Sequence, residues 1–490
     1  MANLSLKDTM QNALERTKAY VDARDKEQIG ELSDLQTTDK TNVVNAINEL
    51  FQNANNGKGI IADAIGGELS DSDTFAAMGT KIDDISSTLS TFIADKGGYV
   101  TGEEDLNELL EILYTVLSVT FSIEFLYEAK QVACSHSHTF LLKNNGTVWA
   151  CGSNQYGQLG IGTSGSDTLQ KSFTQITHNV SDVKEIICTL YYTIMIKNDG
   201  TVWACGYNVY GQLGLGHKTL QTTFTQVTTN VSDVKKIICG GSHTFMIKND
   251  GTVWACGDNS TGQLGLGTTT ETYTTFTQVT TNISDVKDIV CGDGHTYMIK
   301  NDGTVWACGY NGYGQLGIGN TTDKTTFTQV THNVSDVKEI ICGGYHTIMI
   351  KNSGSIYCCG YNNYGQLGLT NTNNQTVFTQ ATTNISDVKE IICGYFHTFM
   401  IKNDGTVWAC GANSDGQLGL GTTSNTKSTF TQVTTNVSYV KDIECGGQHT
   451  FMIKDDGTVW ACGRNYVGQL GLGNTTTQTS FTNTNVNIAN

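Results

Sequence analysis

The sequence contains 490 residues, with 54 glycines, 15 cysteines, no proline and a formal net charge of −17. The absence of proline excludes collagen-like segments and proline-rich linkers, and the negative charge argues against a nucleic-acid binder held by phosphate contacts. Residues 1–128 hold 9 Lys and Arg against 23 Asp and Glu, whereas all Trp, Cys and His residues lie in residues 129–490. The chain therefore divides into two regions of different composition.

The start of the sequence lacks the pattern of a secretory signal, because no basic segment is followed by an apolar run. The longest uncharged apolar stretch, near Leu113–Ile123, is too short to span a bilayer. We therefore expect a soluble protein made in the cytosol, or one that leaves by a route the sequence does not show, without membrane insertion.

Residues 1–128 predict α-helices, because apolar residues recur there every three or four positions, for example in Glu103–Val119. One stretch follows the 3.5-residue period of a coiled coil, although it is shorter than a secure coiled coil, and it ends at Gly97 and Gly98. We expect this region to mediate attachment and self-association. The apolar positions of the coiled-coil stretch are Phe75, Met78, Ile82, Ile85, Leu89 and Phe92.

Two strings in this region resemble segments of bacteriophage tail-fibre and receptor-binding proteins. They are LSDLQTTDKTNVVNAINEL (Leu32–Leu50) and GKGIIADAIGGELSDSDTFAAMGTKI (Gly57–Ile82). The resemblance implies a trimeric fibre that attaches through its N-terminal part to other tail or baseplate proteins. It also implies a recognition domain at the far end of the fibre.

Residues 129–490 repeat one unit seven times, with the core string HTFMIKNDGTVWACGxNxxGQLGxG. In the third unit, the runs Lys235–Cys239, His243–Lys248, Thr252–Cys256 and Phe276–Val279 predict four short strands, and Asp-Gly predicts a hairpin turn. Four strands in a unit of 51 to 54 residues, repeated seven times, predict a seven-bladed β-propeller. The aromatic anchors that set this spacing are Trp149, Trp203, Trp254, Trp306, Tyr357, Trp408 and Trp460.

These repeats resemble the regulator-of-chromosome-condensation family, on the strings GGxHT, GTVWACG and NxxGQLGxG. The resemblance covers residues 129–490 and implies the same seven-bladed propeller. The chain departs from the family in having no proline before the outer strand and Ala-Cys after the anchor. For ring closure, Phe481–Thr484 and Thr120–Ile123 both resemble an outer strand, and we expect one of them to complete a blade shared by the two chain ends.

Fourteen of the 15 cysteines occupy two positions of the repeat, 17 residues apart. The Asp-Gly hairpin places Cys256 opposite about Thr244 rather than Cys239, so disulfides are disfavoured, and the CxxC spacing of a metal site is missing. We interpret these cysteines as small buried residues. The repeated histidine is interpreted as a hydrogen-bonded residue of the fold, although a ring of imidazoles at one height would also offer metal ligands.

The two ends of the ring are predicted to differ. The turns after the first strands and the loops after the third strands lie at one end and vary between blades, whereas the other end is nearly invariant. Varied loops are where binding residues are expected, and exposed tyrosines suit protein or sugar recognition. The alternative is a polar rim whose tyrosines pack on neighbouring loops. The candidate ligand-binding residues are Tyr191, Tyr207, Tyr210, Tyr310, Tyr313, Tyr345, Tyr361, Tyr364 and Phe396.

No catalytic motif, metal site or cofactor is predicted. Asp258 and Asp415 would be the carboxylates of a glycan depolymerase, but they lie in separate repeats. The sequence thus predicts a homotrimeric tail fibre of a phage or phage-like particle, located in the virion tail, which recognises a bacterial surface glycan or protein through the propeller. The alternative is an intracellular protein-interaction propeller, such as an exchange factor or inhibitor.

Overall fold

The computed structural model describes residues 129–486, apart from residues 270, 271, 384 and 425. The predicted N-terminal helices, the two tail-fibre-like strings and the proposed boundary at residue 128 therefore lie outside or at the edge of the described residues. The described part forms 28 strands in seven antiparallel sheets, each made of four consecutive strands in the order of the chain. This arrangement confirms the predicted seven-bladed propeller.

The strands of blades 1 to 4 are β1 Ala129–Cys134, β2 His138–Lys143, β3 Val148–Gly152, β4 Gln170–Ile176, β5 Val183–Cys188, β6 Tyr192–Lys197, β7 Val202–Gly206, β8 Gln221–Val227, β9 Val234–Cys239, β10 His243–Lys248, β11 Val253–Gly257, β12 Tyr273–Gln278, β13 Val286–Cys291, β14 His295–Lys300, β15 Val305–Gly309 and β16 Lys324–Val330. The strands of blades 5 to 7 are β17 Val337–Cys342, β18 His346–Lys351, β19 Ile356–Gly360, β20 Gln375–Gln380, β21 Val388–Cys393, β22 His397–Lys402, β23 Val407–Ala412, β24 Thr426–Val433, β25 Val440–Cys445, β26 His449–Lys454, β27 Val459–Gly463 and β28 Gln478–Asn483.

The hydrophobic core lies between neighbouring blades rather than at one centre. Ile194 and Val202 of blade 2, for example, belong to the same buried cluster as Met246 and Phe276 of blade 3. The second strand of each blade is covered on both sides, so nearly every position of it is buried, including the polar His243 and Thr244 of blade 3. Each blade thus buries one sheet face against the preceding blade and the other against the next.

The cysteines follow the predicted register. Thr244 pairs with Cys239 on one side and with Cys256 on the other, so the two cysteines are separated by a strand. All 15 cysteines are free thiols, and burial raises the pKa of Cys239 to about 12. The cysteines of the third strands are buried as predicted, whereas those of the first strands are only partly buried, and the register keeps the two series apart.

The expectation of a blade shared by the two chain ends is wrong. Among the described residues blade 7 consists of β25 to β28, with Phe481 in its outer strand, β28, while Thr120–Ile123 lies outside the described residues. The ring closes instead by packing blade 7 against blade 1, where the Cys151 thiol donates to the Gln469 carbonyl at 3.4 Å. Two segments that both resemble an outer strand cannot be told apart by their sequence. The outer strand of a blade is the one that pairs with its third strand, as β28 pairs with β27.

The end of the ring that carries the turns after the second strands is called the hairpin face. In blade 3 Asp250 accepts hydrogen bonds from the backbone and hydroxyl of Thr252, whose hydroxyl accepts one from Trp254 Nε1 at 3.0 Å. Lys248 Nζ lies 4.5 Å from the centre of the Trp254 ring. Because the same lysine–aromatic stacking occurs in all seven blades at 4.1 to 4.9 Å, the fold itself accounts for the constant sequence of this face.

Candidate functional site

The opposite end, called the loop face, carries the turns after the first strands and the loops after the third strands. Tyr310 follows a third strand and Tyr345 lies in a first-strand turn, and their ring centres are 6.0 Å apart. The predicted placement of these two kinds of segment at one end of the propeller is therefore confirmed. Each third-strand loop reaches the turn of the next blade.

The repeated residues of the third-strand loop hold it in one conformation. In blade 4 Asn311 Oδ1 accepts from the backbone of Leu316, and Gln315 Oε1 accepts from the backbone of Tyr313, both at 3.0 Å. Gly317 has a φ of +65°, and a Cβ there would stand 2.9 Å from the Phe378 ring of the next blade. Glycine is required by both conditions. The loop is thus a rigid support that leaves its non-repeated positions free to differ.

Aromatic side chains of blades 4, 5 and 6 form one continuous group, called the large aromatic cluster. Successive ring centres are 4.6 Å apart for Tyr313 and Tyr361, 5.2 Å for Tyr364 and Phe396, and 5.4 Å for Tyr345 and Tyr395. The rings meet mostly edge to face or tilted, the geometry that aromatic pairs prefer. The members of the cluster are Tyr310, Tyr313, Tyr345, Tyr361, Tyr364, Tyr395 and Phe396.

A second group, the small aromatic cluster, lies on blades 1 and 2. It contains Tyr156, Tyr191, Tyr207 and Tyr210, with Tyr156 at 4.9 Å from Tyr207 and 5.3 Å from Tyr191. Val209 beside it is 48 % exposed. This cluster has the same construction as the large one, since a third-strand loop contacts the turn of the next blade.

The structure brings the nine predicted binding residues together in these two clusters, six in the large one and three in the small one. Whether they bind a ligand stays a prediction. Sequence reasoning missed Tyr156, which occupies the variable loop position of the first repeat, and Tyr395, which replaces the second glycine of the GGxH turn. Tyr395 could have been found from the sequence, because it stands where other repeats have glycine.

This second glycine position lies around the ring axis on the loop face. It is Gly241, Gly344 and Gly447 in blades 3, 5 and 7, and the turns of all seven blades line an axial cavity of about 140 Å³. A Cβ on Gly241 would lie 1.8 Å from Asp293 Oδ1, and one on Gly344 would lie 2.8 Å from the Tyr395 ring. The glycines thus make room for the large side chain of the next blade. The residues at this position in blades 1, 2, 4 and 6 are His136, Leu190, Asp293 and Tyr395.

Asp293 and Tyr395 meet across the axis. The Tyr395 hydroxyl donates to Asp293 Oδ2 at 2.7 Å and lies 3.1 Å from the Tyr345 hydroxyl. Burial raises the pKa of Asp293, and the hydrogen bonds from Tyr395 and Tyr345 partly offset this rise. Burial and the positive charge of Arg464 lower the pKa of His136. The Asp293 carboxylate partly offsets this decrease. The axis therefore brings an acidic and a basic side chain together, and burial shifts the pKa of each toward its neutral form.

The repeated histidines hold neighbouring blades together. His243 Nε2 lies 3.0 Å from Thr296 Oγ1 of the next blade, and that hydroxyl donates to the Gln263 carbonyl at 2.8 Å. Since the hydroxyl proton is used, the histidine must donate from Nε2, which leaves Nδ1 as an acceptor. Burial lowers the pKa of His243 to about 3. Among the described residues, no group of three or more His, Cys, Asp or Glu is placed to hold a metal ion, and no helix is long and apolar enough to cross a membrane.

The fold and the repeated loops define a seven-bladed β-propeller with two aromatic clusters at one end. The family model for the RCC1-like domain matches residues 109–377 and 232–489, and the chain belongs to this family.

The chain is similar to the ultraviolet-B receptor UVR8 of Arabidopsis thaliana, with 29 % identity over 70 % of this chain and 78 % of that protein. It is 26 % identical to the X-linked retinitis pigmentosa GTPase regulator homolog of Caenorhabditis elegans over 70 % of this chain but only 24 % of that protein. Among solved structures, Prp20p from Saccharomyces cerevisiae superposes with a TM-score of 0.61 at 16 % identity, covering 74 % of this chain and 88 % of that chain.

These comparisons correct the expected localisation. The similar proteins come from a plant, a nematode and a yeast, and the expected place in a virion or phage-like tail is wrong. That expectation depended on two short strings in residues 1–128, whereas these matches are carried by the propeller. The relatives favour the alternative function, a protein-interaction propeller, over the tail fibre.

Proposed function

We propose that this chain is a protein-interaction propeller that holds its partner on the loop face, without catalysis. The observation that carries the proposal is the large aromatic cluster, which joins seven rings from three consecutive blades. Tyrosine and phenylalanine provide large contact areas at a low cost in side-chain entropy, and such residues dominate the binding energy of protein interfaces. The predicted self-association through residues 1–128 stays a separate prediction.

A protein partner fits the shape of this surface better than a small ligand. The rings spread over three blades, whereas the axial cavity beside them measures only about 140 Å³, well below the roughly 300–1,000 Å³ of ordinary small-molecule pockets. Members of the cluster also keep exposed area, with Tyr364 at 37 % exposure. Prp20p, which has the same fold, is described with its binding to Gsp1p and histones, so a protein partner has precedent on this fold.

The test uses the full chain as bait in an extract of its source cells, followed by titration of each purified partner. The double variant Tyr313→Ala, Tyr361→Ala removes two central rings of the large aromatic cluster. The matched control Asn301→Ala, Asn352→Ala changes exposed turn residues of the same two blades on the hairpin face.

We expect the aromatic variant to bind roughly 1,000-fold more weakly, because two interface hot spots contribute about 2 kcal/mol or more each, and the control to bind like the natural chain. Equal affinities of both variants, with unchanged thermal unfolding, would overturn the proposal.

A further inference from the structure

Among the described residues, none forms an ion pair with the Asp293 carboxylate at the ring axis. The ion pair found among the described residues joins Lys236 and Asp288 on the inner strands, and it does not involve Asp293. Arg464 donates instead to Gln448 Oε1 and stacks on Tyr466 at 4.9 Å. A carboxylate that is largely withdrawn from water is costly when no positive charge compensates it.

Further acceptors lie in the same ring of turns. Gly292, Gly343 and Gly394 line the axial cavity, and their carbonyl groups accept no hydrogen bond from the described residues. Each of these oxygens faces the turn of the preceding blade, where a Cβ on Gly240, Gly292 or Gly343 would meet it at 2.6 to 2.8 Å. The wall of the cavity therefore carries backbone acceptors in addition to the carboxylate.

The aromatic rings continue into this wall. Tyr345 and Tyr395 belong to the large aromatic cluster and also bear the hydroxyls that contact Asp293. A cation beside the face of a tyrosine is attracted by the ring electrons, and the attraction strengthens when the site is shielded from water. A chain segment lying on the cluster would therefore reach the carboxylate with one of its side chains.

We propose that this axial site, formed by Asp293, Tyr345 and Tyr395, receives the ammonium or guanidinium group of a lysine or arginine side chain of the protein partner. This inference rests on the proposed function and specifies the chemistry of the partner. Several acceptors suit the multiple N–H donors of both cationic groups. The cavity has room for a side-chain head group and not for a whole folded segment.

The test selects binders to the immobilised full chain from a library of random 12-residue peptides, and then measures the affinity of the enriched peptides by fluorescence anisotropy. Asp293→Asn removes the charge while keeping the shape of the side chain. Asp258→Asn is the matched control on the same face, because its carboxylate is already held by Ser260 and Gln263 Nε2 at 3.0 Å.

We expect one invariant Lys or Arg in the enriched peptides. Either Asp293→Asn or replacement of that basic residue by Gln should weaken binding by at least tenfold, and the two changes together should cost little more than one of them. Asp258→Asn should weaken binding much less than Asp293→Asn, because the Asp258 carboxylate acts on the axial site only through its charge.

The outcomes separate the two proposals. Peptides that need Tyr313 and Tyr361 but contain no essential basic residue, or that bind the Asp293→Asn variant equally well, would overturn the axial site while the proposed function stands. Peptides that bind equally to the Tyr313→Ala, Tyr361→Ala variant would overturn both. Asp293→Asn is used only if its thermal unfolding midpoint equals that of the natural chain. If the midpoint is lower, Tyr395→Phe, which removes the hydroxyl beside Asp293, takes its place.

Discussion

The loop face and the hairpin face are built from the same seven repeats, yet they use sequence differently. On the hairpin face every blade repeats the stacked lysine and aromatic residue, as with Lys248 and Trp254. On the loop face the repeated Asn, Gln and Gly residues fix the loop, while the positions between them change from blade to blade. The comparison teaches that constant residues stabilise the ring, and that the residues free to differ are collected where a partner can reach them.

Acid is expected to produce the largest effect and to act through the loop-face end, where the histidines lie. Burial lowers the pKa of six histidines to about 3, against 6.5 when exposed. The unfolded chain then binds more protons as the pH falls from 6.5 toward 3, so each pH unit in this window removes about 1.4 kcal/mol of stability per histidine. Urea unfolding at pH 7.5, 6.5, 5.5 and 4.5 measures this loss.

Blade 2 provides the control for the acid experiment. There Tyr192 replaces the histidine, and its hydroxyl lies 3.0 Å from Thr244 Oγ1. We expect His243→Tyr to reduce the dependence of unfolding free energy on pH, and Tyr192→His to increase it, each by one proton. The same dependence in all three chains would show that the histidines do not cause the acid sensitivity.

Removing an aromatic side chain should affect stability on the hairpin face and binding on the loop face. Trp254→Ala deletes a partly buried side chain with its stacking and hydrogen bond, and we expect a loss of about 2–4 kcal/mol in unfolding free energy with unchanged partner affinity. Tyr361→Ala should weaken partner binding and cost less than about 1 kcal/mol of stability. Urea unfolding and anisotropy titration measure the two quantities, and a loss of binding on Trp254→Ala would break the distinction between the faces.

A smaller effect is expected at the first glycine of the GGxH turn. Nδ1 of His243 is buried without a hydrogen-bond partner among the described residues, whereas in blade 1 Ser135 Oγ lies 2.7 Å from His138 Nδ1. Gly240→Ser should supply the missing donor and have an unfolding free energy about 1 kcal/mol higher than that of Gly240→Ala. Gly240→Ala is the control, because in both variants the Cβ meets the His243 ring and the Gly292 carbonyl, and only Ser offers a hydrogen bond. Equal urea midpoints for the two variants would contradict the explanation.

The smallest effect is expected on the hairpin face. Tyr439 has a φ of +57° and is 79 % exposed, at a position where blades 2 to 6 carry Asp, as at Asp387. Because Asp tolerates the left-handed region better, Tyr439→Asp should stabilise the fold by roughly 0.5 kcal/mol. Asp387→Tyr should shift the urea midpoint in the opposite direction, and neither change should alter partner binding.

The repeats predicted the fold because their spacing and Asp-Gly turns determine four strands per blade and the register of Thr244 between two cysteines. The same reasoning predicted two kinds of segment on one face, and hence most members of the clusters. It did not predict which side chains lie together at the ring axis, since His136, Asp293 and Tyr395 belong to different repeats and come together only in the folded propeller. The shared blade was wrong because a short outer-strand pattern does not specify its pairing partner.

Every blade is one uninterrupted stretch of chain, and the contact between blades 7 and 1 is of the same kind as the others, with His449 Nε2 at 3.2 Å from Thr139 Oγ1. The propeller could therefore begin with any of its seven blades without a change in the contacts between blades. Circular permutants opened at any link between blades would rebuild the same ring, and the duplication or exchange of single blades could redistribute the loop-face residues without redesigning the core.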